Sequence, residues 1–447
     1  MIKKFIPIAL SIIMIFAMVG CQKTEPLDTA SLDTEAKTLV TQLAEGDYAG
    51  ALEDHAYIAK LQAFFKTTPY ENVWSDIQSK LGEFVAIYDT KGISAQNAHA
   101  VVVKTAFTES CADISVTFNS KGQIQGFHYK PNTDSPQDHG APTVQLPQGI
   151  TERELTFGDE FPLGGTLTTP DGEGPFPVVI LVHGSGPHDR DETVKKIKVF
   201  RDMAWGLAQQ GVATFRYDKR TYAHPASFTM ESTAYDETAA DAIHAAKLMT
   251  EQKEIDPNAI VVAGHSLGAI MIPKIAAETP EVSGYVMMAG AVTPLQDLLV
   301  IQTEYMMQLD GSLSATDKLN LSSLKGMRDN VNKLTPDSKL EPKALFNIPK
   351  AYWLYIKDYN PAEAAKAIEK PLMVTQGEGD YQVTMDEFNA IKSTLGDKEN
   401  VSYKSYPGLS HLFTPAGDPP APTDYDIEAN VDTAVIDDLA EFVKSLS

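Results

Sequence analysis

A five-residue run, Gly264-His265-Ser266-Leu267-Gly268, constrains this 447-residue chain more than any other segment. The apolar residues Ile260-Val261-Val262-Ala263 lead into it, and a helix-forming stretch, residues 269–277, follows. Strand, abrupt turn and helix, with serine at the apex, make a sharp elbow. The flanking glycines let neighbouring backbone approach closely, and the turn forces Ser266 into strained dihedrals. Its hydroxyl is then exposed at the carboxyl edge of a sheet. The helix N-terminus, including the Leu267 N–H, is placed to stabilise developing negative charge. Pro273, inside that helix, removes a backbone hydrogen bond and is expected to kink it.

The surrounding pattern supplies the sheet. Short apolar strands at 178–182, 212–217, 260–263, 285–288 and 372–375 alternate with helical stretches at 200–210, 234–249 and 431–446. Strands apolar on both faces and separated by helices indicate a mostly parallel α/β sheet with helices on both faces. Residues 152–157 and 163–169 read as an antiparallel hairpin before it.

Serine at its free pKa is a poor nucleophile and needs a base. On sheets bearing such an elbow, the acid and then the histidine follow the serine. The chain has ten histidines, and only His411 lies after Ser266. It sits in the turn-rich loop Tyr406-Pro407-Gly408-Leu409-Ser410-His411. The acid belongs at the end of the preceding strand, in Gln376-Gly377-Glu378-Gly379-Asp380. Asp380 is the choice because the glycines let the loop turn its carboxylate towards His411; Glu378 and Asp386 compete. Its role would be to fix the imidazole tautomer and stabilise imidazolium. A second backbone donor for an oxyanion is expected in His183-Gly184-Ser185-Gly186-Pro187, after the strand 178–182. Ser185 N–H is the first candidate, with Gly186 as alternative.

With these residues in view, 150–447 resembles the α/β-hydrolase superfamily, specifically bacterial serine esterases. The 183–187 loop, Phe215-Arg216-Tyr217-Asp218-Lys219-Arg220, the Ser266 elbow and the Asp380 and His411 loops carry the resemblance. It implies hydrolysis of small-molecule carboxylic esters, usually of short acyl groups, through an acyl-enzyme. The same triad serves peptidases, thioesterases and acyltransferases, so those readings stay open. A surface binding protein on an inactive hydrolase scaffold is the non-enzymatic alternative. No metal or other cofactor is expected, since no Cys/His cluster or His-Glu-x-x-His is present. Thr221 stands where relatives often carry glycine after Asp-Lys-Arg. Asp189-Arg190-Asp191-Glu192 and Arg216-Asp218-Arg220 read as structural ion pairs in preference to a substrate clamp.

About 80 residues separate the strand ending near Gly290 from the next at Pro371, more than one helix requires. Residues 293–368 are therefore read as a helical cap. Its methionines and aromatics, including Tyr305, Met306, Met307 and Tyr352-Trp353-Leu354-Tyr355, either line an acyl pocket or pack the cap down.

Before residue 150 the pattern differs. Helical stretches over 31–52 and around 64–81 precede strands near 84–88, 100–107, 114–118 and 124–129, with a turn at 119–122. Helices followed by an antiparallel meander indicate a small α+β domain over 31–130. It resembles a domain, cone-like in shape, that precedes hydrolase domains in some bacterial lipoproteins. Residues 131–149, punctuated by four prolines, read as a linker. At the N-terminus, Lys3 and Lys4 precede a short apolar stretch ending Met18-Val19-Gly20-Cys21. That resembles a bacterial lipoprotein signal, residues 1–21, with Cys21 as the lipid-accepting residue. It implies an extracytoplasmic protein held at the cell membrane by acyl chains. The net charge of −23 opposes binding to nucleic acid and electrostatic docking on anionic lipid.

Overall fold

A computed structural model describes residues 29–446 apart from 96–97, 142–144, 159 and 310. The signal-like segment and Cys21 lie outside the described residues. Contacts divide the chain between Gln145 and Leu146.

In the first unit, helices α1 (Thr29–Glu45), α2 (Tyr48–Glu53), α3 (Ala59–Thr67) and α4 (Tyr70–Leu81) precede four strands. The stretch over 31–52 is two helices because Gly46 turns to φ +78° and the Asp47 side chain caps the next by accepting from Gly50 N–H. The stretch over 64–81 likewise breaks at Thr68-Pro69, since a residue before proline disfavours helical geometry. Strands β1 (Phe84–Ala95), β2 (Ala98–Phe107), β3 (Cys111–Asn119) and β4 (Ile124–Asn132) form an antiparallel sheet in sequence order. Alternate residues of β2 and β3, among them Val101, Val103, Ile114 and Val116, turn inward. They meet Leu39, Leu43, Trp74 and Ile77 in a core of the unit's own. At the 119–122 turn, Asn119 Oδ1 accepts from Lys121 and Gln123 N–H.

The second unit opens with the antiparallel pair β5 (Ile150–Phe157) and β6 (Leu163–Pro170). Next come β7 (Phe176–Val182), a two-stranded ribbon of β8 (Thr193–Val194) and β9 (Ile197–Lys198), α5 (Val199–Gln209) and β10 (Ala213–Tyr217). The short α6 (Arg220–Ala223), a π-helical turn at Tyr235–Ala239 and α7 (Ala240–Thr250) lead to β11 (Ile255–His265) and α8 (Leu267–Ala276). Then follow β12 (Gly284–Met288) and the cap helices α9 (Leu295–Gln308), α10 (Ala315–Asn332), α11 (Lys350–Ile356) and α12 (Pro361–Ala365). The chain finishes with β13 (Leu372–Gly377), α13 (Met385–Leu395), β14 (Val401–Tyr406) and α14 (Thr433–Lys444).

Eight strands form one sheet, in the order β14-β13-β12-β11-β7-β10-β6-β5. Pairs from β10 to β14 are parallel, and β6 pairs antiparallel with β10 and β5. The central strands are buried on both faces because their side chains alternate between two cores. Val178, Ile180 and Val182 enter one, and Val179 and Leu181 the other. Each such aliphatic side chain contributes roughly 1.5–3 kcal/mol of burial. Pro273 sits within α8, which nevertheless continues to Ala276.

Parallel pairing aligns the strand ends. Val182 pairs with Gly264, His265 with Met288, and Gly377 with Tyr406. The loops after β7, β11, β13 and β14 therefore emerge along one edge, where open α/β sheets bind ligands.

Candidate active site

Ser266 stands between β11 and α8 with φ +53° and ψ −112°, in the region that side chains avoid. Sterics explain the two glycines. A Cβ on Gly264 would lie 2.4 Å from the Gly268 carbonyl, and one on Gly268 would lie 2.3 Å from the Val182 carbonyl oxygen. The elbow thus wedges against β7, and Ser266 N–H is tied to the Met288 carbonyl at 2.9 Å.

Asp380 and His411 meet in the structure. His411 Nδ1 lies 2.6 Å from Asp380 Oδ2, with both residues buried. Asp380 Oδ2 also accepts from Gln376 Nε2 at 2.9 Å, and Oδ1 accepts from Gln382 and Val383 N–H at 2.7 and 2.9 Å. The competing Glu378 instead accepts from Ser405 Oγ at 2.8 Å, and Asp386 lies in the first turn of α13. Among the described residues, neither Ser266 Oγ nor His411 Nε2 has a hydrogen-bond partner. The serine and the histidine share the sheet edge without the bond between them being formed. Such bonds commonly tighten only when substrate arrives.

The loop after β7 is tied down on nearly every side. Gly184 N–H donates to Glu192 Oε1 at 2.6 Å, and Lys219 Nζ donates to the Gly184 carbonyl at 2.5 Å. His188 Nε2 is 2.9 Å from the Ser185 carbonyl. Gly186 N–H donates to Glu237 Oε1 at 3.0 Å, and the Thr221 hydroxyl to the Gly186 carbonyl at 3.3 Å. Of the backbone groups from Gly184 to Gly186, Ser185 N–H alone has no bond among the described residues. The alternative donor, Gly186, is already engaged. Leu267 N–H, in the first turn of α8, is open too, as helix geometry requires.

A cavity of about 50 Å³ joins these groups. Ser185, Ser266 and Leu267 line it together with Leu295, Leu298, Leu299 and Gln302 of α9 and Gln382 of the Asp380 loop. The cap's contribution is therefore three leucines and Gln302. Tyr352 and Trp353 pack into the core, and Met306 is exposed. Gln302 Nε2 donates to the Gln382 carbonyl at 3.0 Å, linking the cap to the Asp380 loop.

Most of the remaining charged residues singled out in the sequence form ion pairs, and Asp189 instead accepts from Thr193. Arg190 meets Asp218 and Glu154, Arg216 meets Asp191 and Glu152, and Arg220 meets Asp241. Two features had no local signature. Glu237, in the π-helical turn, accepts from Lys219 Nζ at 2.7 Å and from the Tyr352 hydroxyl of α11 at 2.8 Å. The other is the pairing of Glu192 with His265, Nδ1 to Oε2 at 3.0 Å. A buried acid within reach of a site loop is visible only once strands are paired in space.

Comparison with known proteins agrees with this architecture. Residues 174–415 match the family described as serine aminopeptidase, S33, of the Hydrolase_4 type. Residues 36–127 match a family described as a protein of unknown function (DUF3887). The esterase EstD of Thermotoga maritima is 30% identical over 417 residues, 92% of this chain and 95% of its own. Among solved structures, a study of two fungal esterases from Rhizomucor miehei gives 17% identity and a TM-score of 0.43, covering 68% of this chain and 85% of that one. Est1E from Butyrivibrio proteoclasticus gives 16% and 0.42, covering 66% and 98%. The elbow, the aligned strand ends and the match over 174–415 together make this chain a member of the S33 family of α/β-hydrolases.

Proposed function

We propose that the chain hydrolyses carboxylic esters of small acyl groups, with Ser266 as nucleophile, His411 as general base and acid, and Asp380 as its orienting carboxylate. Ser266 Oγ attacks the ester carbonyl while His411 Nε2 takes its proton. Ser185 and Leu267 N–H hold the oxyanion. His411 then protonates the leaving alcohol, and water releases the acyl-enzyme by the same route.

The cavity lining carries this reading. The cavity is small, about 50 Å³, which favours a short acyl group over a long one. The lining is apolar apart from Ser185, Ser266, Gln302 and Gln382, and holds no carboxylate. An aminopeptidase must take in an ammonium group, and burying one without an acidic partner is costly. That favours ester over aminoacyl substrates, despite the family's description. The relative EstD is named an esterase, which supports the same choice.

A series of p-nitrophenyl esters set against aminoacyl p-nitroanilides tests the proposal. Acetate and propionate should turn over fastest, and Ser266→Ala should abolish turnover. Faster amide cleavage would overturn the ester reading, and full activity in Ser266→Ala would overturn the triad.

We further propose lipid attachment at Cys21, supported by the Lys3-Lys4 and Gly20-Cys21 pattern. In bacterial cells the Cys21→Ser variant should leave the membrane fraction; equal membrane retention would refute attachment.

A further inference from the structure

The run Asp189-Arg190-Asp191-Glu192 contains one member that does not behave like the rest. Asp191 pairs with Arg216 and Lys198, Arg190 pairs outward, and Asp189 accepts from Thr193. Glu192 turns inward on a left-handed backbone, φ +47°, and is 1% exposed. Its Oε1 accepts from Gly184 N–H at 2.6 Å. Its Oε2 lies 3.0 Å from Nδ1 of His265, itself buried. That contact is an ion pair without hydrogen-bond alignment. The opposite ring nitrogen, Nε2, donates to the carbonyl of His411 at 2.9 Å. The two histidine rings are 4.8 Å apart.

We propose that Glu192 and His265 are positioning residues that hold the oxyanion loop and the His411 loop in one frame. The inference rests on the triad reading above. Gly184 is fixed at its N–H by Glu192 and at its carbonyl by Lys219, which sets the peptide carrying Ser185 N–H. His411 is held at its ring by Asp380 and at its carbonyl by His265. Two loops from different strands thus share one buried ion pair. Neither residue lines the cavity, so the pair acts through Gly184 and His411. Its contribution should appear where geometry matters most, in the transition state.

A buried charge without its partner is costly, which makes the pair sensitive to which atom is removed. On p-nitrophenyl acetate, Glu192→Ala should lower kcat about 100-fold and leave KM within about threefold. Glu192→Gln keeps an oxygen for Gly184 N–H and should lose only about tenfold. His265→Gln, which retains a donor for the His411 carbonyl, should also lose about tenfold in kcat. Circular dichroism reports whether each variant is folded. If Glu192→Ala does not fold, the two glutamine variants decide. Unchanged kcat in the folded glutamine variants, or a loss confined to KM, would overturn the proposal. Ser266→Ala is measured alongside: activity retained there condemns the triad, whereas activity lost there with unchanged Glu192 and His265 variants condemns only the pair.

Discussion

Asp380 accepts four hydrogen bonds on two oxygens, from Gln376, His411, Gln382 and Val383. No neutral isostere satisfies that set. In Asp380→Asn, either the amide nitrogen faces the Gln382 and Val383 N–H groups, or it faces His411 and reverses the ring's tautomer. By analogy with the serine-protease carboxylate, kcat on p-nitrophenyl acetate should fall by about 10³ to 10⁴, with KM little altered. A loss below about tenfold would show that the carboxylate does not orient His411. Glu192 offers a measure independent of turnover. Burial pushes its carboxyl up, but His265, His188 and His183 outweigh this and hold it at about 2, against an ordinary 4.5. A carboxyl lowered on folding stabilises the fold above its unfolded value, and that help fades as pH falls through the folded one. The span from 4.5 to about 2 corresponds to about 3 kcal/mol. His265 runs oppositely: burial lowers its pKa, Glu192 more than restores it, and its help fades as pH rises. Urea midpoints of wild type and Glu192→Gln should therefore draw together as pH falls from about 5 towards 2. A constant gap would mean that the acid is not held ionised.

Elements differ in how much of them a one-dimensional pattern reveals. The elbow was legible because strand, glycines, serine and helix are contiguous and the steric demand is local. Asp380 was legible because it sits in a glycine-marked turn just after an apolar strand, and His411 because no other histidine follows Ser266. The cap was legible in extent but not in orientation. Which face of α9 turns towards Ser266 depends on packing within the cap, so leucines and Gln302 line the cavity, where methionines and aromatics were expected either to line it or to pack the cap down. Glu237 was illegible for two reasons. A π-helical turn breaks the 3.6-residue period, and its partners lie 51 and 115 residues away, in the oxyanion loop and on α11. That contact gives the cap a defined hold on the site. Tyr352→Phe strands a buried carboxylate oxygen and should cost about 1–3 kcal/mol in urea denaturation. Because Glu237 also holds Gly186 N–H, turnover should drop about fivefold with KM steady. Tyr355→Phe on the same helix, whose hydroxyl has no partner among the described residues, should shift neither. Equal effects from the two variants would remove Glu237 from the account.

At the scale of the whole molecule, the two units do not share a core. Leu39, Trp74 and Val101 belong to a cluster drawn wholly from residues 32–129, and the two clusters flanking the larger sheet are drawn wholly from 155–446. Separate cores should unfold separately unless an interface couples them. Ser185, Glu192, Ser266, Asp380 and His411 all lie in the second unit, with both cap and sheet. Residues 146–447 expressed alone should therefore fold. They should keep kcat/KM on p-nitrophenyl acetate within about threefold of the protein lacking residues 1–21, and retain the matching calorimetric transition. The protein lacking residues 1–21 should show a second transition, which the isolated 29–145 reproduces. A tenfold loss of kcat/KM with the transition intact would place the first unit in catalysis on small esters. Loss of the transition itself would make it part of the folding unit. Retention of both confines any role of the first unit to substrates larger than p-nitrophenyl acetate or to presentation of the enzyme at a surface.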